Sequence, residues 1–201
     1  MLKRTVFAFT LAFVPMLSAH AQPAPSGAPP AGVYSVEPHH TQVMFGISHL
    51  GFSTFYGAFS GASGSLKLDP ANPAGSQLDV SVPTASVATI NPTLNDELRS
   101  ADWLDATAFP AMTFHSTKIT LTGPGTADVT GDLTLHGVTH SETLQARLNT
   151  PGVNPLTKAY TIGFEVSGSI KRSDFGVKKY LPLVGDDVQL IISAPFEHKP
   201  S

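Results

Sequence analysis

The chain of 201 residues contains no cysteine. That excludes disulfides, a thiol nucleophile and a lipid-modified cysteine anchor, so the fold must stand on its apolar core. A basic excess is also missing: 12 Lys and Arg face 15 Asp and Glu, for a formal net charge of -3. A nucleic-acid binder shows the opposite balance. Long apolar runs are scarce. The single one, TVFAFTLAFVPML, follows MLKR and precedes SAHA. It holds about 13 residues, too few for a bilayer core, which takes ~20.

Charged, apolar and small residues in that order read as a secretory signal peptide over 1–21, with Ala19-His20-Ala21 as the cleavage triplet. Cleavage would remove Lys3 and Arg4, leaving 10 basic against 15 acidic residues, a net charge of -5. Export with no second apolar run points to a soluble periplasmic protein, with secretion as the alternative.

Reaction motifs are missing as well. There is no Gly-x-Ser-x-Gly elbow, no His-Glu-x-x-His and no phosphate-cradling glycine loop. The acidic pairs Asp96-Glu97, Asp102/Asp105 and Asp186-Asp187 read as solvated surface acids. His136 and His140 would span about 13 Å on one strand. They can share a metal only if Gly137 turns the chain sharply, because each ligand must lie about 2 Å from the ion. No catalytic residue, metal or cofactor is expected.

What is present is period-2 alternation. Residues 22–32, QPAPSGAPPAG, form a Pro/Gly-rich leader, and one domain follows over 33–199. Strands are expected at 33–37, 41–49, 52–60, 62–69, 76–83, 111–121, 127–136, 139–149, 159–171 and 187–197. Inward rows include Leu78-Val80-Val82, Val129-Leu133-Leu135, Leu144-Ala146-Leu148, Tyr160-Ile162-Phe164-Val166 and Val188-Leu190-Ile192-Ala194-Phe196. Polar residues alternate with each row, as in half-buried antiparallel strands. The 52–69 segment is one strand bent at Gly61, or two. One helix interrupts: Asn91 caps it, Pro92 suits its first turn, and Asp96-Glu97 favour its positive end. This all-β pattern fits a sandwich or a closed barrel; alternation alone does not choose.

Two features invite a functional reading. IKRSDFGVKK gathers Lys171, Arg172, Lys178 and Lys179, either as a solvated loop or as an anion-facing rim near a ligand mouth. In TQVMFGISHLG, the row Val43, Phe45, Ile47 ends on His49. That imidazole is a satisfied core group, a contact for a ligand's polar head, or a haem or metal ligand.

Five segments in order resemble the YceI-like family of exported, polyisoprenoid-binding, lipocalin-like proteins. They are VEPHHTQVMFGISHLGFSTFYGAFSGASGSLKLD (36–69), LRSADWLDATAFPAMTFHSTKI (98–119), GDLTLHGVTH (131–140), KRSDFGV (171–177) and VGDDVQLIISAPFE (184–197). His40 and His49 match the family's two histidine positions. Glu37 stands where the family often has Asp, and Trp103 where it commonly has Phe. The resemblance implies an eight-stranded antiparallel lipocalin-like β-barrel, with the short helix in a long loop, around a long apolar cavity. It implies a non-enzymatic carrier of an isoprenoid or similar amphiphile, such as a polyprenyl or quinone tail, for transport, storage or stress protection.

Candidate ligand contacts are Phe45, Ile47, His49, Phe52 and Phe55 from the first strands, then Trp103 and Phe114. Leu133, Leu135, Phe164, Val166, Ile170, Arg172, Phe175 and Leu190 complete the set. His40 is expected to fix the barrel's closure. Transient membrane-surface contact and a homodimer are compatible with this reading. The alternatives are a quinone- or haem-linked redox accessory protein, and a structural barrel filled by its own side chains.

Overall fold

The structure, a computed structural model, describes residues 28–198. The expected signal peptide and the first part of the leader lie outside these residues.

Eleven strands form one antiparallel sheet. They are β1 (Gly32–Val36), β2 (Gln42–His49), β3 (Ser53–Phe59), β4 (Ser63–Leu68), β5 (Gln77–Pro83), β6 (Ala111–Gly123), β7 (Thr126–Leu135), β8 (Val138–Leu148), β9 (Gly152–Val153), β10 (Tyr160–Lys171) and β11 (Val184–His198). The two-residue β9, between Pro151 and Pro155, is too short to show a period, and the sequence reading does not contain it. Helix α1 spans Pro92–Arg99, and Asn91 caps it by accepting from the Thr93 N–H at 3.1 Å. Asp96 and Glu97 fall beyond its first turn, so they do not serve its positive end. Asp96 instead accepts from Arg99 at 3.0 Å, and Glu97 accepts from the Trp103 indole N–H at 3.1 Å.

The sheet closes because β11 is long and changes partner. Along one edge it pairs with β10 from Asp187 to His198. On the other it pairs first with β2 and then, from Phe196 onward, with β1. β1 and β2 are thus two halves of one interrupted strand, and β3 and β4 are two halves of the next. Counting each interrupted strand once, the ring through β5, β6, β7, β8, β10 and β11 is a closed eight-stranded barrel. The 52–69 segment is therefore two strands, parted where Gly61 adopts φ +70°.

The interruption at 37–41 has a local cause. The Glu37 carboxylate accepts from the His39 and His40 N–H groups at 3.0 and 2.9 Å, and its own N–H donates to the Pro195 carbonyl at 2.9 Å. The His40 ring lies 2.7 Å from the same carboxylate. His40 thus touches the interruption only through Glu37, from an exposed position. Burial works against ionisation of this carboxyl, but the hydrogen bonds outweigh it and hold its pKa below the ordinary value.

The two ends of the barrel differ. At one, Tyr34, Val36, Leu66, Ile162 and Phe196 pack below the start of β1. Tyr34 is fully buried and donates to the Pro30 carbonyl at 2.7 Å. Burial, with Tyr160 nearby, pushes its pKa up to about 12. At the other end, Phe175, Leu135 and Ile170 form a second cluster with Leu104, Met112 and Leu190. The long 84–110 and 172–183 segments fold over that end.

Candidate functional site

Between the two clusters lies a cavity of about 630 Å³. The inward rows build it. Leu78, Val80 and Val82 come from β5; Val129, Leu133 and Leu135 from β7; Leu144, Ala146 and Leu148 from β8. β10 adds Ile162, Phe164 and Val166, and β11 adds Leu190, Ile192, Ala194 and Phe196. Loop residues Pro29, Pro70, Pro73 and Pro124 stand around one end of the lining. This end is the mouth. The barrel is therefore not filled by its own side chains, as the structural alternative requires.

Seven of the fifteen expected contacts line the cavity: Phe114, Leu133, Leu135, Phe164, Val166, Ile170 and Leu190. The other eight do not. Of the β2 row, only Val43 reaches the lining. Phe45 packs against Phe59, with ring centroids 5.5 Å apart, and fills the space over Gly57 beside the Ala88 carbonyl. The segment that holds the fully buried Val87 crosses here and bridges to Ala58, so this end is packed solid. Ile47 and Phe55 are half-buried on the same two strands. Phe52 is 89% exposed at the β2–β3 turn. His49 is exposed at the end of β2 and faces neither core nor cavity. It is thus not the satisfied core imidazole of the first reading, nor a cavity-facing ligand to a head group or a haem.

Trp103, Arg172 and Phe175 are buried in the closed end. Arg172 is 3% exposed and forms neither a solvated loop nor an anion-facing rim. Its guanidinium donates to the carbonyls of Gly185, Val177 and Val184 at 2.8, 3.0 and 2.9 Å. Burial lowers its pKa, and Asp186 opposes this. Lys171 pairs with Asp187 at 2.9 Å, and Lys179 with Asp102 at 2.6 Å. Three of the four basic side chains are thus engaged, Arg172 with backbone and the two lysines with surface carboxylates. Asp102 and Asp187 remain solvated surface acids, 69% and 68% exposed, each facing a lysine.

The β7–β8 turn does reverse sharply, with His136 and Gly137 at φ +53° and +74°. The two histidines are nevertheless engaged separately. The His136 Nδ1 lies 3.1 Å from the Phe175 carbonyl, and the His140 ring stands edge-on to Phe175 at 5.2 Å. No group of three or more potential ligands suited to a metal occurs among the described residues.

Glu142 is a lining residue that the sequence reading missed. It extends the Leu144-Ala146-Leu148 row by one step, which is the signal that finds it. Its charge hides it, because an acid in an alternating strand is ordinarily assigned to the wet face.

The sequence matches the YceI-like domain over residues 34–196. A UPF0312 protein of Azotobacter vinelandii is 38% identical over 193 residues, 96% of this chain and 97% of that one. Protein YceI of Shigella flexneri is 42% identical over 157 residues, 78% of this chain and 81% of its own. Among solved structures, Burkholderia cenocepacia BcnA superposes with a TM-score of 0.72 at 28% identity, covering 80% of this chain and 98% of that one. A polyisoprenoid binding domain from Saccharophagus degradans shares the fold, with a TM-score of 0.63 at 17% identity over 83% of this chain and 98% of that one. A closed eight-stranded barrel, the ordered motifs and these matches agree: the chain belongs to the YceI-like family.

Proposed function

We propose that this protein is a non-enzymatic carrier that encloses one long-chain amphiphile, of the polyisoprenoid type, in an exported and periplasmic setting. The cavity carries the reading. Its volume of about 630 Å³ suits a single ligand rather than a solvent channel. Its walls are almost wholly apolar, so the gain on binding comes from removing hydrocarbon from water. That gain is about 0.8 kcal/mol for each CH₂ buried. A flexible chain needs little polar recognition to gain strongly, and chain length and shape then set preference. The solved polyisoprenoid binding domain with the same fold supports a ligand of this type. Contact with a membrane surface during loading, and a role in transport, storage or stress protection, fit the reading.

The decisive experiment is native mass spectrometry of the protein purified from its own exported fraction, with solvent extraction of the bound material. A discrete lipid near one-to-one stoichiometry supports the carrier. A protein that is empty, and that also rejects added polyprenols and quinones, overturns it.

A further inference from the structure

The cavity has few polar groups, and most are engaged. Thr41 Oγ1 donates to the Glu37 carbonyl at 2.7 Å. Ser76 Oγ accepts from the Asp69 N–H at 3.0 Å, and Thr126 Oγ1 accepts from Thr122 at 3.0 Å. Thr113 belongs to the outward row of β6 and is exposed. Glu142 differs. It is the single ionisable side chain of the lining, and its carboxyl has no hydrogen-bond partner among the described residues.

Neither strand beside Glu142 supplies a partner. Its cross-strand neighbour on β7 is Gly131, which has no side chain. The Phe114 ring occupies the space there, 2.5 Å from where a Cβ would stand. On the other edge, β8 pairs with β10 only through Gln145–Leu148. From Val138 to Leu144 that edge carries no backbone pairing to β10. Side chains close the seam instead: Leu144 covers Gly168, and His140 meets Phe175. Glu142 thus stands at the inner end of the cavity, beside a seam held by packing rather than by a hydrogen-bonded ladder.

An unpartnered carboxyl facing hydrocarbon is costly, and more so when ionised. Burial raises its pKa, the Asp174 carboxylate raises it further, and His140 opposes. A ligand that brings a donor removes the cost. One that brings a second negative charge increases it.

We propose that Glu142 anchors the polar end of the bound amphiphile, and that the barrel selects long-chain molecules whose head donates a hydrogen bond, a hydroxyl or a protonated amine. The head lies inward at Glu142 and the tail runs toward the proline-ringed mouth. Amphiphiles with carboxylate or phosphate heads are disfavoured by Glu142 and Asp174 together. This assignment rests on the carrier reading and specifies the ligand class for the same cavity.

The test uses hexadecylamine, hexadecanol and palmitate, which share a chain and differ in the head, in competition with a neutral apolar dye bound to the mature protein. The amine and the alcohol bind roughly tenfold more tightly than palmitate, the scale of one charge-assisted hydrogen bond. In Glu142→Leu the three converge to within about twofold, because only the shared chain still contributes. Glu142→Gln, nearly the same in shape, keeps an acceptor and loses the charge, so the amine's lead over the alcohol shrinks and palmitate gains. Equal binding of all three by the unmodified protein overturns the head-group assignment while leaving the carrier intact. So does a preference that survives in both variants. Binding of none of the three overturns the carrier reading and this assignment with it.

Discussion

The Arg172 guanidinium stands 5.2 Å from the centroid of the Trp103 ring while donating to three backbone carbonyls. One buried side chain thereby joins the 172–177 loop, the start of β11 and the segment after α1. A cation stacked on an aromatic face, with each of its three nitrogens donating to a backbone carbonyl, is a closing device for this end of the barrel.

Arg172→Met keeps the bulk but leaves the carbonyls of Val177, Val184 and Gly185 without their donor. Each stranded acceptor costs about 1–3 kcal/mol, so the variant loses roughly 3 kcal/mol or more. Urea unfolding measures this directly. A loss under about 1 kcal/mol would show that water replaces the guanidinium, and would remove its structural role. Arg172→Lys recovers only part of the loss, since an ammonium lacks the planar fork.

Thr84 makes the opposite case. It is 1% exposed, and its hydroxyl is buried with no partner among the described residues. Thr84→Val keeps the shape and replaces the stranded hydroxyl with a methyl group. The expected gain is about 1 kcal/mol. A lower Tm in the variant would mean that the hydroxyl does find a partner, such as an ordered water.

Phe164 lies mid-wall on β10 and stands edge-on to Phe196 at 6.0 Å. Phe164→Asp puts a charge among hydrocarbon contacts. Provided circular dichroism shows the barrel intact, the variant retains no long-chain ligand through purification. Retention by the folded variant would displace the site from this part of the cavity.

Asp186 contributes to acid stability, as Glu37 does. Burial raises its pKa, but the Ser173 hydroxyl and N–H, at 2.8 and 2.9 Å, outweigh this, with Lys171 and Arg172 adding to the effect. The folded pKa is thus depressed below the ordinary aspartate value. A depressed carboxyl contributes stability above its unfolded pKa and loses it as pH falls through the folded value. Asp186→Asn is therefore less stable than the parent near pH ~6, and the gap narrows toward pH ~3. A gap independent of pH would assign the difference to packing instead of ionisation.

The strands were legible because alternation depends on nothing beyond the strand itself. Asn91-Pro92 likewise marked the helix start. The inward rows of β5, β7, β8, β10 and β11 fell where expected, and the closed topology came from the family resemblance rather than from the period. What could not be read was which part of the interior the loops fill. Phe45 and Val43 share a face, yet the 84–88 crossing buries one in packing and leaves the other on the cavity. Arg172 looked like surface charge because its acceptors are backbone carbonyls, which every sequence has and no motif displays. His49 ends an apolar row and still belongs to the barrel wall, but it lies at the last paired position of β2, where the side chain is exposed.

The cavity also sets how the protein answers compression. Unfolding abolishes its void of about 630 Å³, so the empty barrel occupies more volume than its unfolded chain and hydrostatic pressure favours opening it. A bound chain fills that void and removes much of the volume difference. The midpoint pressure of unfolding, followed through Trp103 fluorescence, is then lower for empty barrels than for loaded ones. A mechanical property thus reports occupancy without any label on the cargo.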